Sequence, residues 1–156
     1  MKSFAAYLIS PFPSARIVLV VAVAVVSLLT ACKVPEDPYG TTGQVTKGTL
    51  KVGALMEPLD EVETRAVARI ADTLQAQTDI VTGDPHSLFA QLDKGELHIV
   101  AGRIPSNTPF APHVGLTDPV AQVTVGDETK DRVLAIRKGE NQFLVTVNRA
   151  IRRISQ

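Results

Sequence analysis

The order of apolar and polar positions divides the chain into an apolar amino-terminal run, a polar stretch and a long region of alternating short elements. Residues 17–29 are uncharged and almost entirely apolar. From Thr49 onward, apolar runs short enough for strands alternate with segments in which apolar residues recur every three or four positions. This order predicts an α/β fold with three layers, a mostly parallel sheet and helices on both faces.

The predicted strands and helices follow one another along the chain. Strands are predicted over 49–55, 79–82, 97–101, 120–125 and 132–136. Helices are predicted over 60–75, over 85–95 behind an Asp84 N-cap, and over 141–154. Their inward-facing residues are predicted to be Val62, Ala66, Val67, Ile70, Ala71 and Leu74; Leu88, Phe89 and Leu92; and Phe143, Val147, Ala150, Ile151 and Ile154.

The amino-terminal run has the features of a secretory signal peptide covering residues 1–31. Lys2 and Arg16 supply positive charge before the apolar core, and Ala31 supplies a small residue at its end. The core is shorter than the roughly 20 residues that a membrane-spanning helix needs. Leu29-Thr-Ala-Cys32 resembles the bacterial lipobox, which implies cleavage before Cys32 and acylation of its thiol.

This resemblance implies an envelope protein held in membrane lipid through Cys32. Lys33, rather than an aspartate, follows the cysteine, which in a Gram-negative cell implies sorting to the outer membrane, facing the periplasm. Residues 32–47 carry Pro, Gly and Thr with little apolar periodicity, and are therefore predicted to form a flexible tether. No second cysteine is available for a disulfide.

Removal of residues 1–31 leaves 14 basic and 16 acidic residues, and the chain contains no Trp. This balance argues against a nucleic-acid partner. The remaining 125 residues suit a single domain, predicted over 48–156.

Four segments of that domain resemble a known protein family. They are KGTLKVG at 47–53, LFAQLDKGELHIVAG at 88–102, VGLTDP at 114–119 and VLAIRKGENQFLVTVN at 133–148. Together they are similar to the first lobe of periplasmic solute-binding proteins of the amino-acid type (family 3) of ABC transporters. The resemblance implies one lobe of a type II periplasmic-binding-protein-like fold and a role as a binding module in transport.

The chain departs from this family in ways that bear on ligand binding. Where the family has a second lobe, only residues 120–131 intervene, so we expect half a cleft and no closure over the ligand. The family's carboxylate-clamping arginine would fall near Pro109 or Phe110, and its strand aspartate is replaced by His98. These departures predict weak solute binding, or an accessory role beside a membrane transporter.

A surviving site is expected at the carboxyl ends of the strands, where open α/β sheets bind ligands. The ligand-binding candidates there are Glu57, after the first strand, and Arg103, Ser106 and Asn107, after the third. Alternatively, Glu57 and Arg103 are solvated loop charges and Ser106 caps a turn. The cleft face could instead serve protein contact without a small-molecule ligand, with a transporter component or a second copy of the chain as partner.

The sequence predicts neither an enzyme nor a metal or cofactor site. His86, His98 and His113 lack the paired spacing of zinc ligands, and His98 is expected to be a hydrogen-bonded structural residue. No nucleophile elbow or phosphate-binding loop is present in the sequence.

Overall fold

The computed structural model describes residues 36–152, so the signal peptide, Cys32 and Ile154 lie outside the described part of the chain. Within these residues, six strands form one sheet. They are β1 (Thr49–Ala54), β2 (Gln77–Thr82), β3 (Ile99–Pro105), β4 (Val114–Leu116), β5 (Ala121–Val125) and β6 (Glu128–Arg137). In the same part of the chain, four α-helices accompany them: α1 (Thr41–Val45), α2 (Glu61–Leu74), α3 (Pro85–Lys94) and α4 (Asn141–Arg152).

The sheet has the order β2-β1-β3-β6-β4, and β5 also pairs with β6. Strands β2, β1 and β3 are parallel, whereas β6 is antiparallel to β3, β4 and β5. Among the described strands, β6 therefore runs against the other five. The registers place β4 and β5 one after the other along the same edge of β6, since Leu116 lies opposite Ala135 and Ala121 opposite Arg132.

Apolar side chains fill the space on both faces of the sheet. On one face, α1, α2 and α4 pack on β1, β3 and β6 around Phe143, Ile70 and Leu50. On the other face, α3 packs on β3, β4 and β6 around Leu88 and Leu92. Helices on both faces of a mostly parallel sheet make the three-layer α/β lobe that the sequence predicts, and the fold-class prediction is confirmed.

Local capping explains where α2 and α3 begin and where α3 ends. The Asp60 carboxylate accepts a hydrogen bond from Glu63 N–H at 3.1 Å, and the Asp84 carboxylate accepts one from Ser87 N–H at 3.0 Å. Gly95 ends α3 in the left-handed conformation at φ 78°. The predicted Asp84 N-cap and Gly95 stop are confirmed.

The segment at residues 36–47, which we call the strap, differs from the flexible tether predicted over 32–47. It contains α1, whose Val45 is fully buried in the core. Asp37 accepts a hydrogen bond from Phe143 N–H, and Glu140 accepts from the N–H groups of Tyr39 and Thr41, each at 2.9 Å. These partners lie about 100 residues away in sequence, so local composition does not reveal them.

Residues 120–131 lead directly from one strand of the sheet to the next. They form β5, a turn at Gly126 and Asp127, and the first part of β6. Because β6 pairs with β3 only from Arg132 onward, the tip of this hairpin extends past the carboxyl end of β3.

Candidate functional site

The connections on either side of β1 create a crevice at the carboxyl edge of the sheet. The chain leaves β1 into α2, which packs on one face, and it enters β3 from α3, which packs on the other face. Neighbouring strands whose helices lie on opposite faces mark the topological switch point where open α/β sheets bind ligands. In this lobe that point lies between the ends of β1 and β3.

A cleft of about 220 Å³ opens at this switch point. It is lined by Leu55, Pro85, Phe89, Gly102, Arg103, Ile104, Pro105, Thr108 and Phe110. The rings of Phe89 and Phe110 stack in parallel with centroids 4.0 Å apart, and the His86 ring meets Phe110 edge-on. The cleft wall is therefore mainly apolar, with Arg103 as the one charged residue among those that line it.

A bulge in β3 determines where Arg103 lies. Gly102 has φ 134° and Arg103 has φ 57°, and the regular pairing of β3 with β6 is interrupted at these positions. A Cβ atom at position 102 would lie 2.5 Å from Leu55 Cβ, so only glycine allows this close approach to the end of β1. The carboxylate of Glu63 fixes the bulge by accepting hydrogen bonds from Gly102 N–H at 3.1 Å and Arg103 N–H at 2.7 Å.

Four charged side chains form a cluster that includes Arg103 of the cleft wall. Arg132 is buried and contacts Asp60 through Nη2 and the fully buried Glu63 through Nε, at 3.3 Å. Arg103 Nε lies 3.3 Å from the other Asp60 oxygen. The hydrogen bond from Arg132 is the largest cause that lowers the pKa of Asp60 to about 2.

The sequence-predicted site residues do not all come together. Arg103 lines the cleft, with 54% of its side chain exposed. Glu57 lies in a separate depression of about 240 Å³ beside β2, where it accepts a hydrogen bond from Thr82 Oγ1 at 2.9 Å. Ser106 and Asn107 are exposed on the turn after β3 and line neither space.

Glu63 and Arg132 were not among the sequence candidates, although they control the shape of the site. Glu63 lies three and four residues before Ala66 and Val67, on the buried face of α2. A carboxylate on an apolar helix face is costly to bury without a partner. The position of Glu63 on that face is therefore the sequence signal that indicates a buried ion pair or hydrogen bond. Arg132 gave no comparable signal, because it stands at the start of a predicted strand.

His98 has the structural role expected from the sequence. Its Nδ1 accepts a hydrogen bond from Lys51 N–H at 3.0 Å, and its burial is the main cause that lowers its pKa. Within residues 36–152, no group of three His, Cys, Asp or Glu side chains is placed to hold a metal ion. The helices in this part of the chain are too short or too polar to span a membrane.

No protein-family model and no curated protein matches the sequence. Solved structures do match the fold. Domain 1 of TmArgBP in its arginine-bound form superimposes with a TM-score of 0.59 at 20% identity, covering 69% of this chain and 94% of that chain. The L-cystine solute receptor of Neisseria gonorrhoeae, in its unliganded open conformation, gives a TM-score of 0.60 at 11% identity, covering 74% of this chain and 90% of that chain.

The chain has the fold of a solute-binding-protein lobe. A third match is an ancestral amino acid-binding protein described as a precursor of cyclohexadienyl dehydratase, with a TM-score of 0.62 at 13% identity, covering 74% of this chain and 92% of that chain. The matched proteins are thus named mainly for binding amino acids, and one is related by its description to an enzyme. At these identities the likeness establishes the fold, and the ligand has to be argued from the cleft.

Proposed function

We propose that the protein is a lipid-anchored, single-lobed binding module of the cell envelope that binds small organic anions weakly in the cleft. The observation that carries this proposal is the position of Arg103, a half-exposed cation beside an apolar wall at the switch point. The half-buried Phe110 ring, which stacks on the buried Phe89 ring, offers a surface for an apolar group. The Arg103 guanidinium contacts Asp60 through Nε, and its remaining nitrogens can pair with a ligand carboxylate. The preferred ligand is therefore a small carboxylate with an apolar or aromatic part.

The size and openness of the cleft limit the affinity. At about 220 Å³, it is smaller than the roughly 300 Å³ at which pockets for drug-sized ligands begin. No second lobe within the described residues closes over it, so a bound ligand stays partly in water. We expect dissociation constants near millimolar, which correspond to about −4 kcal/mol.

The matched structures support binding by one lobe. Domain 1 of TmArgBP is described in an arginine-bound form, so a lone domain with this fold can hold a ligand. In this chain Arg103 lines the cleft, which favours an anion as ligand. We assign no reaction to the site, because Thr108 is the only nucleophilic side chain that lines it and no general base stands among the lining residues.

Anchoring through Cys32 completes the proposal. The Leu29-Thr-Ala-Cys32 tetrad supports acylation of the cysteine, and Lys33 supports the outer membrane as destination in a Gram-negative cell. Several acyl chains hold a protein on a membrane far more firmly than one chain does. A module held there could hand a loosely bound solute to a membrane transporter.

The proposal is tested with the acylated full chain in nanodiscs. Saturation-transfer NMR and calorimetric titration would use free amino acids, aromatic carboxylates and the matching uncharged amides. We expect millimolar binding of the carboxylates, several-fold weaker binding of the amides, and loss of this preference in Arg103→Gln. The control is Arg69→Gln, which removes an exposed arginine of α2 away from the cleft and should leave binding unchanged.

Two results would contradict the proposal. Equal binding of carboxylates and amides, or no effect of Arg103→Gln, would remove the anion site. Micromolar binding of a free amino acid would instead indicate a conventional solute receptor.

The β5–β6 hairpin favours a second candidate, protein docking on the open cleft face. Its tip extends past the carboxyl end of β3, and Val125 is 52% exposed. A photo-crosslinker at position 125 should then capture a transporter component or a second copy in the native envelope, whereas one at Val145 on α4 should not. Equal capture at both positions would dismiss this candidate.

A further inference from the structure

The strap joins the lobe at the edge of the sheet opposite the cleft. Strands β1, β2 and β3 begin at this amino edge, and the antiparallel β6 ends there. Helix α4 begins just beyond β6, and its Asn141 N–H donates to the carbonyl oxygen of Glu36 at 3.1 Å. The first described residue of the chain is therefore held at the amino edge, while β1, six residues long, separates this edge from the cleft by about 20 Å.

Reciprocal carboxylate contacts hold the strap in place. Asp37 of the strap accepts from Phe143 N–H in the first turn of α4, and Glu140, directly before α4, accepts from Tyr39 and Thr41 N–H. The Glu140 side chain is buried, so water competes little for either of its two hydrogen bonds. The Arg137 guanidinium also lies over the Tyr39 ring, 3.4 Å from its centroid.

The anchoring cysteine is close to this attachment point in sequence. Cys32 and Glu36 are four residues apart, so a chain of any conformation separates their Cα atoms by at most about 14 Å. The flexible tether expected from composition would have allowed the lobe to stand farther from the bilayer and to tumble. With the strap fixed on the lobe, the remaining link from Cys32 to Glu36 spans at most about 14 Å. This link is shorter than β1, which is about 20 Å long.

We propose that the strap orients the lobe on the membrane, with the amino edge of the sheet towards the lipid surface and the cleft towards the aqueous side. This inference rests on the proposed acylation of Cys32. The partner of the amino edge is the bilayer surface. A cleft that faces away from the lipid is open to soluble ligands and to a partner protein, whereas a freely tumbling lobe would present it in all directions.

The test uses the acylated full chain in vesicles that contain headgroup-labelled quencher lipids. Because Cys32 is the only native cysteine and its thiol is consumed by acylation, an introduced cysteine takes a fluorophore selectively. Lys94→Cys places the label at the last turn of α3, on the amino edge, and Asp127→Cys places it on the hairpin tip, past the carboxyl edge. We expect quenching at position 94 to be at least threefold greater than at position 127.

Variants of the strap contacts test whether the strap causes this difference. Glu140→Gln should reduce the difference in quenching between positions 94 and 127, and Asp37→Asn should reduce it as well. Glu36→Gln is the matched control, because the carbonyl oxygen of this exposed residue, rather than its side chain, contacts α4. Hydrogen exchange over residues 36–45 should rise in the first two variants while exchange over β1 and β3 stays slow, which separates release of the strap from unfolding of the lobe.

The possible results distinguish a failure of the proposed orientation from a failure of the proposed anchoring at Cys32. Equal quenching at the two positions in a chain whose Cys32 carries a fatty-acid label would overturn the orientation and leave the anchor intact. A difference that persists in both strap variants would likewise overturn the role of the strap. A chain without fatty-acid label at Cys32 would overturn the anchor, and with it the orientation, while the binding titrations of the cleft would be unaffected.

Discussion

Replacement of Asp60 by Asn isolates the contribution of the charge cluster to stability. The carboxylate of Asp60 contacts Arg132 and Arg103 and also caps α2 through Glu63 N–H. Asparagine is as good an N-cap as aspartate, so the substitution removes the charge and keeps the cap. A loss of stability in Asp60→Asn therefore reports the ion pairs rather than the helix.

The magnitude follows from the pKa of Asp60, which is lowered from 3.8 to about 2. A shift of this size corresponds to at most about 2.5 kcal/mol, at 1.36 kcal/mol per pKa unit. One quarter of the Asp60 side chain is exposed, so solvent screens part of the interaction. We expect Asp60→Asn to lower the free energy of unfolding at pH 7 by about 1 to 2 kcal/mol.

The sign of the pH dependence follows from the same shift. Because the folded state holds the Asp60 proton more weakly than the unfolded state does, the stabilisation is complete above about pH 5 and is lost as the pH falls towards 2. The difference in stability between the parent and Asp60→Asn should therefore be constant from pH 7 to pH 5 and shrink between pH 4 and pH 2.

The assay is urea denaturation of both proteins at intervals from pH 2 to pH 7. Asp84→Asn is the matched control, since Asp84 caps α3 in the same way but has no arginine contact within the described residues. It should change the stability by a few tenths of a kcal/mol at most. If Asp60→Asn matched the parent at pH 7, or lost the same stability at pH 2 as at pH 7, our account of the charge cluster would be refuted.

Three further substitutions test burial, protonation and backbone geometry by thermal and urea unfolding. Val147→Asp places an unpaired charge in the core and should unfold the lobe. Val145→Asp on the exposed face of α4 should leave the stability nearly unchanged. Equal melting temperatures of the two variants would contradict the burial of Val147. Burial lowers the pKa of His98, so parental stability should fall as the pH drops below about 6.5, and His98→Asn should flatten that fall; an unchanged slope would count against the buried neutral imidazole. Gly102→Ala should cost about 2 kcal/mol or more through steric and backbone strain, while Gly43→Ala, where a Cβ atom meets nothing within 4 Å, should cost nothing measurable.

Regular periodicity made most of the fold predictable. The inward faces of α2, α3 and α4, the Asp84 cap and the Gly95 stop are local patterns, and the structure confirms them, apart from Val62, which is only half-buried, and Ile154, which lies outside the described residues. Strand ends were less predictable. Strand β3 continues through its bulge to Pro105 and β6 begins at Glu128, because pairing with neighbouring strands, rather than local composition, sustains them.

The site was less predictable than the fold, because long-range contacts determine it. Arg103 was predicted at the carboxyl edge and lines the cleft, but Glu57 lies in a different depression. The carboxylate of Glu63 holds the bulge from about 40 residues away. The strap differs from the predicted tether for the same reason, since Glu140 binds it through hydrogen bonds from the far end of the chain.

The most direct test of a single-lobed anion-binding module is to map the bound ligand on the protein. Backbone amide shifts of the isotope-labelled chain would be followed by NMR during titration with an aromatic carboxylate to about 10 mM. We expect the largest shifts at Leu55, Gly102, Arg103 and Phe110, with a dissociation constant near millimolar. No shifts at these amides, or the largest shifts around Glu57 and β2, would contradict it.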